Sequence, residues 1–158
     1  MLKKSLIAVI CTIIASAALY AVTMSHPAGF QVTYPDEWNK LIEGNDLKIL
    51  SPDGKAVMLF RVIEVNSVPE AVQGLETEVK KIITRPKFEH KPKPVTLNGL
   101  PGLLSDGSGV IKGIQAKWLV GLFIREKNGL MVLGFANAEA FPAHEETLKG
   151  IINSISKK

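Results

Sequence analysis

Three histidines, His26, His90 and His144, are the residues best suited to proton transfer or metal binding, and their scatter argues against both. His144 heads the run His144-Glu145-Glu146, which could offer one or two ligands to a divalent ion. Adjacent helical positions point about 100° apart, however, and no second histidine follows at the spacing a zinc-protease helix uses. The ordinary role of this run is a solvated histidine with acids placed near a helix start. Asp36, Glu37 and Asp106 make a carboxylate pair only if the fold assembles one. No serine stands in a Gly-x-Ser-x-Gly elbow ahead of a helix. The Ser105 to Gly109 segment lacks the lysine and the following helix of a phosphate loop. Cys11, the one cysteine, lies in the N-terminal apolar run. The rest of the chain therefore has no disulfide, thiolate zinc site or cysteine nucleophile. These residues predict a protein that is not an enzyme, with no catalytic residue, metal site or cofactor.

What remains is surface chemistry. Lys80, Lys81, Arg85, Lys87, His90, Lys91 and Lys93 form the most basic window, with Pro92 and Pro94 stiffening its end. Such a window suits an anionic partner: lipid headgroups, a cell-wall polymer or an acidic protein face. The plainer alternative is a solvated loop or edge strand whose lysines deter edge-to-edge pairing. Phe88 is the lone aromatic among these cations, so the window is no nucleic-acid platform. The bulk charge agrees. Two of the 19 basic residues, Lys3 and Lys4, fall at the N-terminus, and the remainder exceeds the 15 acidic residues by only two despite a pI of ≈ 9.2. Trp38 is the other candidate contact residue, as a stacking platform, although a large aromatic more often plugs one end of a core. Arg61 interrupts an apolar strand face and reads as a snorkelling or paired structural residue.

The elements that would position these residues are set by periodicity and turns. Phe30, Val32 and Tyr34 alternate with polar residues and mark a half-buried strand ended by Pro35 and Asp36. Leu47–Leu50 and Ala56–Val65 read as a hairpin around Pro52-Asp53-Gly54. Ser67-Val68-Pro69-Glu70 has capping-box spacing, and Val68, Ala71, Val72, Leu75, Val79, Ile82 and Ile83 form one stripe of a helix running to about Thr84. From Pro94 to Asn137, turns at Asn98-Gly99, Lys112-Gly113 and Asn128-Gly129 cut the chain into an antiparallel meander of four strands. Ser105 to Gly109 could bulge or bend one of them. Pro142 opens a last helix whose stripe is Leu148, Ile151, Ile152 and Ile155, weakened by Gly150 unless close packing requires it. The fold class is α+β: an antiparallel sheet of about six strands with helices on both faces.

The N-terminus reads as a signal peptide over residues 1–21, with basic Lys3 and Lys4, an apolar run from Leu6 and small residues before a cut after Ala18 or Ala21. An uncleaved anchor is the competing reading, since Ser5 to Val22 carries no charge. Cys11 sits behind Ile10, not behind the small residue that lipoprotein processing wants. Residues 22–29 are expected to be a flexible lead-in, and 30–158 a single domain in the periplasm or outside the cell.

The sequence Phe30-Gln31-Val32-Thr33-Tyr34-Pro35 with Trp38, the run Asn98-Gly99-Leu100-Pro101-Gly102 and the closing Ile151-Ile152-Asn153-Ser154-Ile155 resemble the PsbP-like (Mog1/PsbP) family of α/β/α sandwiches. The resemblance spans Phe30 to Ser156 and implies a protein that binds another macromolecule. No family binding residue maps onto a matching position. The expected function is an exported, non-enzymatic binding or accessory protein of the cell envelope, acting through Lys80, Lys81, Arg85, Lys87, His90, Lys91, Lys93 and Trp38. Its expected partner is another envelope protein or an anionic envelope component. The alternatives are a periplasmic small-ligand or metal-ion-binding protein and, last, a hydrolase.

Overall fold

The computed structural model describes residues 21–158. Ten strands and two helices follow in the order β1 (Ala21–His26), β2 (Phe30–Pro35), β3 (Asn39–Glu43), β4 (Asp46–Leu50), β5 (Ala56–Glu64), α1 (Val68–Ile82), β6 (Thr84–Leu97), β7 (Leu100–Ile111), β8 (Ile114–Arg125), β9 (Asn128–Asn137), α2 (Phe141–Asn153) and β10 (Ser156–Lys157). Seven strands form one antiparallel sheet in the order β3-β4-β5-β9-β8-β7-β6, and a small sheet is ordered β1-β2-β10. No helix among the described residues is long and apolar enough to cross a membrane.

The large sheet is the middle layer because its central strands are apolar on both faces. Helix α1 covers one face, where Ala71, Leu75 and Val79 pack with Leu59, Trp118, Val120, Leu122, Met131 and Leu133. Ser67 starts the helix by accepting a hydrogen bond from the Glu70 amide at 3.3 Å. The opposite face is shared by α2, through Leu148, Ile151 and Ile152, and by the small sheet, through Phe30, Val32 and Tyr34. Together they seal Ile49, Met58, Phe60 and Val132. Arg61 on the α1 side is paired. Its guanidinium donates to Asp46 at 2.8 and 2.5 Å and to Glu78 at 2.8 Å, tying β4, β5 and α1. The hydrogen bond from Arg61 holds the Asp46 carboxyl below its usual range.

Several expectations change. Among the described residues the strands number ten in two sheets, not about six in one, because short strands such as β3 and β10 carry too little alternation to read. The leader expected over 1–21 lies outside the described residues, Ala21 apart. Residues 22–29 are not a loose lead-in: β1 pairs with β2 from Ala21↔Pro35 to His26↔Phe30. Backbone pairing needs no apolar signal, and the Thr23 and Thr33 hydroxyls meet across the pair at 3.0 Å. The third turn of the meander falls at Glu126-Lys127, with Glu126 at φ +57, rather than at Asn128-Gly129. Gly129 serves packing instead, since a Cβ there would stand 2.7 Å from Leu122 Cδ1 and Val65 Cγ2. Helix α1 stops at Ile82, and Arg85-Pro86 lies inside β6, an edge strand in which a proline costs no ladder bond.

The irregularity expected at Ser105 to Gly109 belongs to the neighbouring strand. Along β6, Thr84, Lys87, His90 and Lys93 face Val110, Ser108, Asp106 and Leu104 of β7, three residues against two at each step. Three register shifts are thus concentrated in β6, while β7 runs regularly against β8. Gly107 admits this path, because a Cβ would lie 2.0 Å from the Lys87 carbonyl oxygen and 2.5 Å from Trp118 Cζ2.

Helix α2 is fastened at its first turn. His144 Nε2 shares a hydrogen bond with Asp53 Oδ2 at 2.9 Å, and its ring stands edge-on to Trp38. Asp53 also accepts from Ser51 Oγ at 2.5 Å and from the Lys55 amide at 3.0 Å. His144 is therefore not the solvated side chain expected, with only 16% of its side chain exposed. The Ser51 hydroxyl, the Lys55 amide and His144 together lower the Asp53 carboxyl to about 2 from 3.8.

Three measurements check these points. Gly107→Ala should lose about 1–3 kcal/mol in urea unfolding, the usual cost of forcing atoms into a filled site. Gly150→Ala should gain about 0.5–1 kcal/mol, since a Cβ there meets nothing within 4 Å. Because the folded carboxyl of Asp53 is depressed, the unfolded chain binds the proton first. Its contribution is complete above pH 3.8 and disappears as pH falls towards about 2. The stability gap between the native chain and Asp53→Asn should therefore be widest above that window and close within it.

Candidate functional site

The register of β6 decides where the basic window goes. Directly opposed residues of an antiparallel pair share a face, so Lys87, His90 and Lys93 stand on the side of Ser108, Asp106 and Leu104. The same rule across β7 and β8 adds Lys117, opposite Ser108, and Leu119, opposite Asp106. This is the α2 side of the sheet, as Leu104 and Leu119 pack against that core. Helix α2 packs mainly on β9, β8, β2 and β5, so the β6–β7 end of this face is left as a ledge beside the helix.

Ledge and helix enclose a cleft of ≈ 390 Å³. Val95, Leu104, Leu119 and Ile152 make its floor, and His90, Lys93, Asp106 and Lys149 its rim. Asp106 Oδ1 accepts from the His90 amide at 3.1 Å and lies 2.7 Å from His90 Nδ1. The carboxylate is thus committed to the bulged backbone. Ser105 Oγ donates to the His90 carbonyl at 2.5 Å and fixes the same turn of chain. Lys149 Nζ lies 2.9 Å from Glu145 Oε1, and this hydrogen bond, helped by the charges of Glu145, Glu146 and Asp106, raises its pKa. Lys87, Lys93 and Lys117 have no ion pair among the described residues and are exposed.

The expected contact residues are thereby divided. Lys80 and Lys81 lie at the end of α1, on the other side of the sheet, and Lys81 is paired with Glu78 at 2.6 Å. Arg85 sits at the start of β6 with φ +50, and Lys91 falls in the shifted interval between His90 and Lys93, with no residue opposite it on β7. Only Lys87, His90 and Lys93 gather on the cleft side. Trp38 is corrected: it is 5% exposed and buried with the α2 core, so its ring is no stacking surface. It plugs the core end and forms part of the wall of a second, more open pocket with Tyr34, Glu37, Glu146 and Thr147.

Sequence reasoning missed Lys117 and Lys149. The Lys112-Gly113 turn fixes Ile111↔Ile114, and counting outward from it gives Ser108↔Lys117, so the first was within reach. The second depends on how α2 docks, for which no local signal exists.

The catalytic options read differently once geometry is known. In the Ser51-Asp53-His144 group the carboxylate stands between hydroxyl and imidazole, so the imidazole does not touch the hydroxyl. In the Ser105-Asp106-His90 group the serine hydroxyl is spent on a backbone carbonyl. Among the described residues no three His, Cys, Asp or Glu side chains group as a metal site would require.

No protein-family model matches the sequence, and no curated protein matches it. Solved structures do. Cyanobacterial PsbP (CyanoP) from Synechocystis sp. PCC 6803 superposes with a TM-score of 0.69 at 8% identity, covering 91% of this chain and 96% of that one. LpqN, involved in cell envelope biogenesis of Mycobacterium tuberculosis, gives 0.65 at 13% identity, over 87% and 90% of the two chains. A protein of unknown function from Pseudomonas aeruginosa gives 0.57 at 16% identity, over 85% and 95%. Identities this low carry the fold alone, and on that evidence the chain has a PsbP-like fold.

Proposed function

We propose that the chain is an exported, non-enzymatic binding or accessory protein of the cell envelope that engages an anionic partner on the cleft side of its sheet. The observation that supports this best is the gathering on one side of the sheet of Lys87 and Lys93 from β6, Lys117 from β8 and Lys149 from α2, with Lys93 and Lys149 lining the apolar-floored cleft itself. Three of the four have no ion pair among the described residues, so their charge is available to a partner. The leader-like N-terminus and the envelope role of LpqN, a protein of the same fold, support the location. Neither histidine pair has its serine placed for nucleophilic attack, which favours binding over hydrolysis.

The experiment is recovery of envelope components on the immobilised protein, compared with Lys87→Glu/Lys93→Glu/Lys117→Glu. Exposed ionic contacts contribute about 0.5 kcal/mol each, so reversing three should weaken capture about tenfold or more at low salt, and added salt should do the same to the native chain. Equal recovery by the two proteins would remove the cleft side from the reading. Lys80→Glu/Lys81→Glu, on the opposite side of the sheet, should leave capture unchanged.

A further inference from the structure

The cleft has two kinds of lining, and they are arranged so that one molecule could use both. Its floor is apolar and drawn from four elements: Val95 of β6, Leu104 of β7, Leu119 of β8 and Ile152 of α2. Val95, Leu104 and Leu119 are only partly buried although each packs against the core, so an occupant would complete their burial. The cations stand on facing walls, Lys93 on β6 and Lys149 on α2. The one carboxylate in the lining, Asp106, is already held by the His90 amide and ring.

The structure assigns to this cleft an anionic amphiphile, a single apolar chain ending in a phosphate or carboxylate, with the chain on Leu104, Leu119 and Ile152 and the head between Lys93 and Lys149. This rests on the proposed cationic cleft and names its ligand. The size agrees: ≈ 390 Å³ lies within the about 300–1,000 Å³ of small-molecule sites. The chemistry excludes neighbours of that class. A metal ion would meet two ammonium groups. An inorganic anion would leave the floor unused, and an uncharged lipid would leave Lys93 without a partner. A nucleic acid would find no aromatic ring in the lining.

The test is isothermal titration of the full chain with four probes below their micelle concentrations. Dodecyl phosphate and myristate present the two heads, inorganic phosphate presents a head alone, and dodecyl maltoside presents a chain with an uncharged head. At least one anionic amphiphile should bind saturably at one per chain. Binding should weaken about tenfold in Lys93→Glu/Lys149→Glu, whose exposed positions leave the fold intact by circular dichroism. Which of the two heads binds identifies phosphate or carboxylate. Phosphate binding as tightly as dodecyl phosphate would overturn the assignment, as would maltoside binding equally in the native and charge-reversed proteins. Absence of binding by all four would overturn it too. In that last case charge-dependent capture of envelope components could still stand, so the two failures are distinguishable.

Discussion

The three register shifts along β6 are the constraint on which the placement of the cleft-side lysines depends. A regular strand would alternate, putting Lys87, Lys91 and Lys93 on one side and His90 on the other. The shifts convert that period of two into steps of three, so Lys87, His90 and Lys93 share a side although each is three residues from the next. Asp106 stabilises one step by taking both the amide and the ring of His90, and Ser105 takes the carbonyl of the same residue. Trp118 sets the limit from below. Its ring and the Lys87 carbonyl approach Gly107 from opposite sides, and any side chain there would push β6 away. Glycine in β7 and bulges in β6 are one device, divided between two strands.

The two faces of the large sheet are closed to different degrees. Helix α1 lies along its face with Ala71, Leu75 and Val79 buried, and Phe88 stands edge-on to Trp118 with ring centres 5.0 Å apart, closing that side as far as the edge strand. On the other side α2 shares the covering with β1, β2 and β10, and the helix packs mainly on β9, β8 and β5. What is left over at the β6 end is a strip of sheet with apolar residues at its centre and lysines around it. Burial of apolar area is the main favourable term in folding, so a strip left partly open next to a complete core is a cost that an occupant would remove. The edge itself is poorly suited to strand addition, because Pro86, Pro92, Pro94 and the shifts break its hydrogen-bonding row.

Much of this fold could be read from the chain because its signals are local. The Asn98-Gly99 and Lys112-Gly113 turns adopt a positive φ, the Ser67 cap forms, and the stripes of both helices face the core except for Val68, which is exposed. Asn128-Gly129 misled because the same dipeptide answered a different demand: glycine was needed for contact with Leu122 and Val65, two residues past the turn. Strand β1 was invisible because Ala21 to His26 is stabilised by its partner strand rather than by its own pattern. The cleft was legible only in part. Its lysines are conspicuous, but their faces follow from bulges, and bulges arise from contacts between strands far apart in sequence.

The two histidine–carboxylate pairs show why residue types alone overstate chemistry. Each has a serine next to it in the sequence or across a tight turn, so each has the inventory of a hydrolase. In both, the serine hydroxyl is used to hold the chain: Ser51 caps the Asp53 turn, and its oxygen accepts from the Ala56 amide at 2.9 Å, while Ser105 pins the β6 bulge. The order of hydrogen bonds places the carboxylate, not the imidazole, against the hydroxyl at Asp53. A base that cannot reach a hydroxyl cannot activate it. What the same bonds achieve is rigidity at two places, the first turn of α2 and the shifted stretch of β6. The second is one wall of the cleft, whose other wall is the later part of α2 at Lys149 and Ile152, and at both places the polar groups hold the backbone in position.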